Sequence, residues 1–164
     1  MSAIRPAARA DIPALAAIYN QYIRETPATF DIEEKDIADR TAWFEGFSAT
    51  GPYRLLIAEA AGEVLGYAYS GRFKERAAYA TSIETSIYLR PAATGRQVGS
   101  ALYTALFDAL AGEDIHRAYA GITLPNAASE AIHRRFGFRQ IGIYREVGRK
   151  FGKYWDVAWY ERAL

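Results

Sequence analysis

Hydrophobic and polar positions repeat along this chain with two periods, and the period changes at residues that break regular structure. The opening "SAIRPA" reads as a short strand. Asp11 then starts a helix with Pro13 in its first turn; Ile12, Leu15, Ile18, Tyr19 and Tyr22 recur at helical spacing as its apolar face. "ETPATFD" breaks this helix, and a second is predicted over about residues 33–47, ended by "SATGP". Two apolar runs flank Ala61, Gly62 and Glu63, which signals a hairpin. "YATSIETSIYLRP" is rich in β-branched and aromatic residues and reads as a strand stopped by Pro91. An amphipathic helix follows, with Leu102, Leu106 and Leu110 on one face, and then the strand "HRAYAGITL". "PNAASEAIHRRFGF" predicts a short helix with Asn126 as N-cap and Gly137 just past its end. The tail reads as two antiparallel strands around residues 148–153. The order βααβββαβαββ predicts an α/β (α+β) domain spanning residues 1–164, a mixed sheet with helices on its faces.

Composition narrows the chemistry. Of 164 residues, 51% are apolar and 24% charged, an ordinary soluble balance with enough chain for one sizeable core. The net charge of +1 argues for neither a nucleic-acid nor a membrane-surface partner. With no cysteine, a disulfide framework, a thiolate metal site and a cysteine nucleophile are excluded. Only His116 and His133 are available as imidazole ligands, so no metal is expected. The first residues show no signal-peptide pattern, and no apolar run approaches the roughly 20 residues that span a bilayer. A cytoplasmic location is the expectation.

Three groups of residues carry candidate chemistry. The first is "LRPAATGRQVGSALYTAL", a strand end, a loop and a helix start. Backbone N–H groups over Gly95, Arg96, Gln97, Val98, Gly99 and Ser100, backed by the helix N-terminus, suit a diphosphate. The Lys-Ser/Thr pair of a nucleotide P-loop and the dinucleotide fingerprint are both missing. A helix cap that happens to contain glycines is the plain alternative. The second group is Asn126, Ser129 and His133, which share one helix face; a cap followed by solvated residues would look the same. The third is "GRFKERAAYATSIETSIY". Arg72, Lys74 and Arg76 are clustered cations, followed by Tyr79, and guanidinium forks suit carboxylate or phosphonate ligands. Glu84 stands in an otherwise apolar and hydroxyl-bearing strand, where a carboxylate is costly unless used or paired. Pairing with one of those arginines is the structural alternative.

Together these segments resemble the GNAT N-acetyltransferase superfamily, and more closely the phosphinothricin and methionine sulfoximine acetyltransferases within it. The resemblance covers nearly the whole chain. Arg76, Tyr79 and Glu84 match the family's Arg-x-x-Tyr-x-x-Thr-x-Glu run, with Ser82 at the threonine position. "IYLRP", the glycine loop and "GSALYTAL" look like the acetyl-CoA motif; "LPNAASEAIHRRFGF" and "GKYWDVAWYE" are similar to the family's later segments. The resemblance implies the GNAT fold, a mixed and mostly antiparallel sheet flanked by helices. It also implies acetyl-CoA as co-substrate, a small-molecule amine acceptor and a homodimer, for which Tyr154, Trp155, Trp159 and Tyr160 offer either interface or core.

On that resemblance the pyrophosphate lies on the glycine loop, and the pantetheine amides pair like an extra strand with the backbone of Ile87, Tyr88 and Leu89. Asn126 is the family position that contacts the pantetheine arm. The superfamily's Gln/Arg-x-x-Gly-x-Gly/Ala pattern is altered, because Thr94 replaces the long polar residue and Gln97 the first glycine. A residue with a Cβ at position 97 is expected at negative φ, in a helical first turn, with Arg96 turned outward. A left-handed Gln97 would count against cofactor binding.

Attack on a thioester needs a neutral amine, so a base must take a proton. Glu84, directly or through water, is one candidate; His133 is the other, or else protonates the leaving thiolate. A backbone N–H near Tyr88 is the expected oxyanion donor. Arg72, Arg76 and Tyr79 are expected to grip a glutamate-like acceptor such as phosphinothricin or methionine sulfoximine or sulfone, with Phe30 lining its apolar part. A protein N-terminus, a polyamine or an aminoglycoside are alternative acceptors, and a non-catalytic acyl-CoA-binding module is the rival from another class.

Overall fold

The computed structural model describes residues 2–164. The elements run β1 (Ala3–Pro6), α1 (Ile12–Glu25), α2 (Ile37–Phe44), β2 (Leu55–Ala60), β3 (Glu63–Arg72) and β4 (Ser82–Leu89). They continue with α3 (Val98–Leu110), β5 (Arg117–Thr123), α4 (Ala127–Arg135), β6 (Arg139–Lys150) and β7 (Lys153–Ala163). This is the order expected from the sequence. All seven strands form one sheet in the order β1-β2-β3-β4-β5-β7-β6. Every neighbouring pair is antiparallel except β4 and β5, which run parallel.

The strand alternation builds a core on each face. Leu56, Ala58, Ala68 and Ile83 point to the α3 side, where they meet Leu102, Leu106 and Leu110. Their neighbours Leu55, Ile57 and Tyr67 point to the α1 side, where Leu15 and Ile18 cover them. Each fully buried leucine or isoleucine contributes about 1.5–3 kcal/mol by leaving water. Tyr160, a candidate interface residue, is fully buried in the α3-side core, and its hydroxyl donates to Glu130 Oε1 at 2.8 Å. Trp159 lies against Gly121, and the Trp155 indole N–H donates to the Lys150 carbonyl. Of the four tail aromatics only Tyr154 is exposed, at 58%.

The second helix is shorter than expected, beginning at Ile37. Asp36 and Asp39 cap its start reciprocally: the Asp39 N–H donates to Asp36 Oδ1 and the Asp36 N–H to Asp39 Oδ2. Asn20 of α1 bonds both the N–H and the C=O of Lys35, which keeps the preceding residues out of the helix. Residues 26–36 therefore cross the molecule as an extended strap. No helix among the described residues is long and apolar enough to cross a membrane.

Candidate active site

The parallel ladder joins Ser82, Ile83 and Glu84 to Arg117, Ala118 and Tyr119, and no further. Beyond it β4 stays with β3 and β5 stays with β7. The two strands part, and a cleft of about 510 Å³ opens between them. Thr85, Ile87 and Tyr88 line one wall, Gly121, Ile122 and Thr123 the other, and the start of α3 and one face of α4 close the end.

The antiparallel ladder decides which β4 backbone groups reach this cleft. The Arg90 N–H donates to Leu65 O, so Arg90 faces β3. Alternate residues face alternate ways, hence Tyr88 also faces β3 while Ile87 and Leu89 face the opening. The Leu89 groups are already taken: Tyr22 Oη donates to Leu89 O at 2.8 Å and accepts from Leu89 N–H at 3.2 Å. Of the stretch expected to pair with a cofactor, Ile87 alone offers free amide groups to the cleft. The oxyanion donor expected near Tyr88 is accordingly not the Tyr88 N–H.

The loop before α3 corrects the expectation for Gln97, which is left-handed at φ 61°. Gln97 is not in the first turn; it is the N-cap, and its carbonyl accepts the Ala101 N–H at 3.0 Å. A non-glycine residue there costs about 1 kcal/mol. Gly95 also has positive φ, at 75°, and Arg96 between them does not. Alternating φ of this kind is the backbone pattern in which anion-binding concavities form. The expected negative φ at Gln97 is not met. Arg96 is exposed beside the loop, as expected. Val98 and Gly99 are buried at the helix start; a Cβ at Gly99 would lie 3.1 Å from Ile132 and 3.3 Å from Ile87. Ser100 lines the cleft and its hydroxyl accepts from Arg135.

On α4, Asn126 caps the helix by accepting the Ser129 N–H at 3.1 Å. His133 Nδ1 lies 2.7 Å from the Ser129 carbonyl. A carbonyl only accepts, so Nδ1 carries the proton. Nε2 of the neutral ring then accepts from the Tyr103 hydroxyl at 2.9 Å. Burial holds the His133 pKa below the ordinary imidazole range, with the carbonyl contact opposing. Burial raises that of Tyr103, so both groups are neutral at pH 7.

Glu84 projects to the opposite face of the sheet from Thr85 and Ile87. It is half-buried, and among the described residues it makes neither a side-chain hydrogen bond nor an ion pair. Burial raises its pKa above the usual carboxylate range. The pairing alternative does not hold, since Arg72 pairs with Glu75 at 3.2 Å. Arg72 and Arg76 are exposed, and Tyr79 packs edge-on to Phe73 under Lys74. These residues stand on the connection from β3 to β4, close in sequence to Glu84, but they do not line the cleft. The Phe30 ring covers Gly148 of β6 and does not line it either.

A family model described as an acetyltransferase (GNAT) domain matches residues 4–159. This chain belongs to the GNAT acetyltransferase family. It is 56% identical to the phosphinothricin N-acetyltransferase of Streptomyces coelicolor, over 98% of this chain and 95% of that one. It is 36% identical to the L-methionine sulfoximine/L-methionine sulfone acetyltransferase of Pseudomonas aeruginosa, over 99% and 95% of the two chains. It superposes with a TM-score of 0.93 and 31% identity on a phosphinothricin acetyltransferase from Sinorhizobium meliloti in complex with acetyl-CoA, covering 99% and 88%.

Sequence reasoning missed several residues of this GNAT site. Tyr103 sits among buried leucines on α3 and reads as plain core, as does Tyr22 on α1. Thr85 is buried with an unpaired hydroxyl beside the cleft, and residues 121–123 line it; both lie in apolar strands that mark no site. No group of three or more metal-ligating side chains occurs among the described residues.

The left-handed Gln97 yields a direct test. Gln97→Gly is expected to raise unfolding stability by up to about 1 kcal/mol, and Gln97→Val to lower it, as read from urea midpoints. Equal midpoints for the two variants would show that residue 97 carries no such strain.

Proposed function

We propose that this GNAT enzyme transfers the acetyl group of acetyl-CoA to the α-amino group of a small amino-acid acceptor of the phosphinothricin or methionine sulfoximine kind. The observation that carries the reading is the free, half-buried Glu84 carboxylate on one face of the sheet, with the anion-shaped loop and His133 on the other. The opening between β4 and β5 joins the two faces, so donor and acceptor meet through it without a covalent enzyme intermediate.

Gly95, Arg96, Gln97, Val98, Gly99 and Ser100 would hold the cofactor's diphosphate, Ile87 its pantetheine amides, and Asn126 and Ser129 the wall beside that arm. Bound acetyl-CoA supplies the thioester. Glu84 takes the proton from the acceptor's ammonium, directly or through water. The Ile87 N–H faces the opening where an oxyanion would form. The coenzyme A thiolate would leave beside His133, which lines the cleft with its ring held by the Tyr103 hydroxyl, and take its proton from solvent. Arg76 and Tyr79 hold the acceptor's anionic groups, and Arg76 has no ion-pair partner among the described residues. We also propose a homodimer formed along the exposed edge strand β6, where Ile141, Tyr144 and Val147 are each about half exposed.

A thiol-release assay with phosphinothricin, methionine sulfoximine, a polyamine and a peptide N-terminus tests the acceptor class; thiol release with only the last two would overturn it. Glu84→Gln is expected to lower kcat by about 100- to 10,000-fold with acetyl-CoA affinity unchanged. Wild-type kcat/KM should fall as pH drops through the raised Glu84 pKa, because protonation removes the base. The same shift has a stability sign. The folded state binds the Glu84 proton more tightly than the unfolded chain, whose carboxyl titrates near about 4.3. Stability attributable to this group is therefore full below that value and is lost as pH rises through the folded pKa. Glu84→Gln should flatten that decline; an unaltered pH–stability curve and full activity would sink the assignment. Arg76→Ala should raise the acceptor KM about tenfold and leave that of acetyl-CoA unchanged, the size of one charge-assisted hydrogen bond. Light scattering at twice the chain mass would support the dimer, and a monomeric mass would refute it.

A further inference from the structure

Among the buried charged residues that the mechanism leaves unused, Lys150 is the least exposed. Lys150, at the end of β6, is only 4% exposed. Its ammonium donates to the Thr26 carbonyl at 2.9 Å and the Thr29 carbonyl at 2.8 Å. No carboxylate forms an ion pair with it among the described residues, although a buried charge is costly when its partners are only carbonyls. Those carbonyls belong to the first part of the strap, residues 26–36, which joins α1 to α2.

A second contact fastens the same strap to the same strand. The Phe30 ring lies flat on Gly148, so closely that a Cβ there would come within 2.2 Å of it. Glycine at this position leaves the seat for the ring. The strap in turn touches the site. Ala28 lines the cleft beside Ser86 and Tyr88. The Tyr19 hydroxyl is held by Asp31 at 2.6 Å and by Thr29 at 2.8 Å, and the Tyr19 ring meets Tyr88 edge-on at 5.3 Å. Ser86 and Tyr88 share the Glu84 face of β4 by strand alternation.

We propose that Lys150 is a positioning residue: with Phe30 seated on Gly148 it latches the strap against β6, and the latched strap forms the wall of the acceptor side of the cleft. The assignment of that side rests on the acetyltransferase reading above; the latch itself does not. The strap holds the β6 end directly and reaches the Tyr88 ring through the Tyr19 hydroxyl of α1, so its release loosens the acceptor wall and leaves the loop before α3 in place.

The test uses the full chain without ligand, then with both substrates. In Lys150→Met, hydrogen exchange at the Ala28 and Asp31 amides is expected to quicken about tenfold or more, with exchange in α3 unchanged. The acceptor KM should rise about tenfold while the acetyl-CoA KM stays within about twofold. Gly148→Ala, which displaces Phe30, should shift both readouts in the same direction and decides the matter if Lys150→Met does not fold. Unchanged strap exchange overturns the latch. A lowered melting temperature with an unchanged acceptor KM overturns the positioning role and leaves Lys150 a purely structural residue. Wild-type protein that acetylates none of the amino-acid acceptors sinks the acceptor class, and strap exchange then judges the latch alone.

Discussion

The working part of this molecule depends on a strand pair that stops pairing. β4 and β5 share three ladder positions and then separate, each held by its other neighbour. Sheet interiors rarely leave backbone groups open, because an unpaired buried amide costs about 1–3 kcal/mol. Here the Tyr22 hydroxyl satisfies both groups of Leu89, which leaves those of Ile87 to the cleft. The parting is supported from β7, where Trp159 packs against the bare Gly121 and its ring stands where a side chain would.

The opening divides the chemistry between two faces. Glycine-flanked amides and the Tyr103–His133 pair lie on the α3 side, the pair with its hydrogen bonds made and its charges absent. Glu84 lies on the other, with no partner and a raised pKa caused by desolvation. A carboxylate in that condition binds its proton more tightly than a solvated one and destabilises the fold when ionised. The histidine is the reverse case: both of its ring nitrogens are engaged, one by the Tyr103 hydroxyl and one by the Ser129 carbonyl. The open choice between these two residues as base thus turns on hydrogen-bond saturation, which residue type alone does not reveal.

Periodicity and punctuation carried the element order, because alternation and helical spacing are local properties of the chain. They failed where a distant side chain intervened. The early part of the second helix is lost to Asn20, which binds Lys35 from α1, while Asp36 and Asp39 form a capping pair that the residues themselves spell out. Gln97 differs from its expected place by one position: it is the left-handed N-cap of α3 and not a residue of its first turn. Phe30 rests its ring on Gly148, a glycine more than a hundred residues away, a contact that no local pattern announces.

The sequence by itself determined the alternating faces, the caps of α4, the glycine-flanked loop and the unusual strand carboxylate, since each is written in neighbouring residues. Only the tertiary structure decided that β4 and β5 part, that Tyr103 holds His133, that Glu84 is left unpaired, and that Lys150 ties the strap to β6. Those facts concern groups far apart in the chain. Whether a buried polar group meets a partner is settled by packing, and the residue types that meet look the same from the chain as ordinary core or ordinary surface.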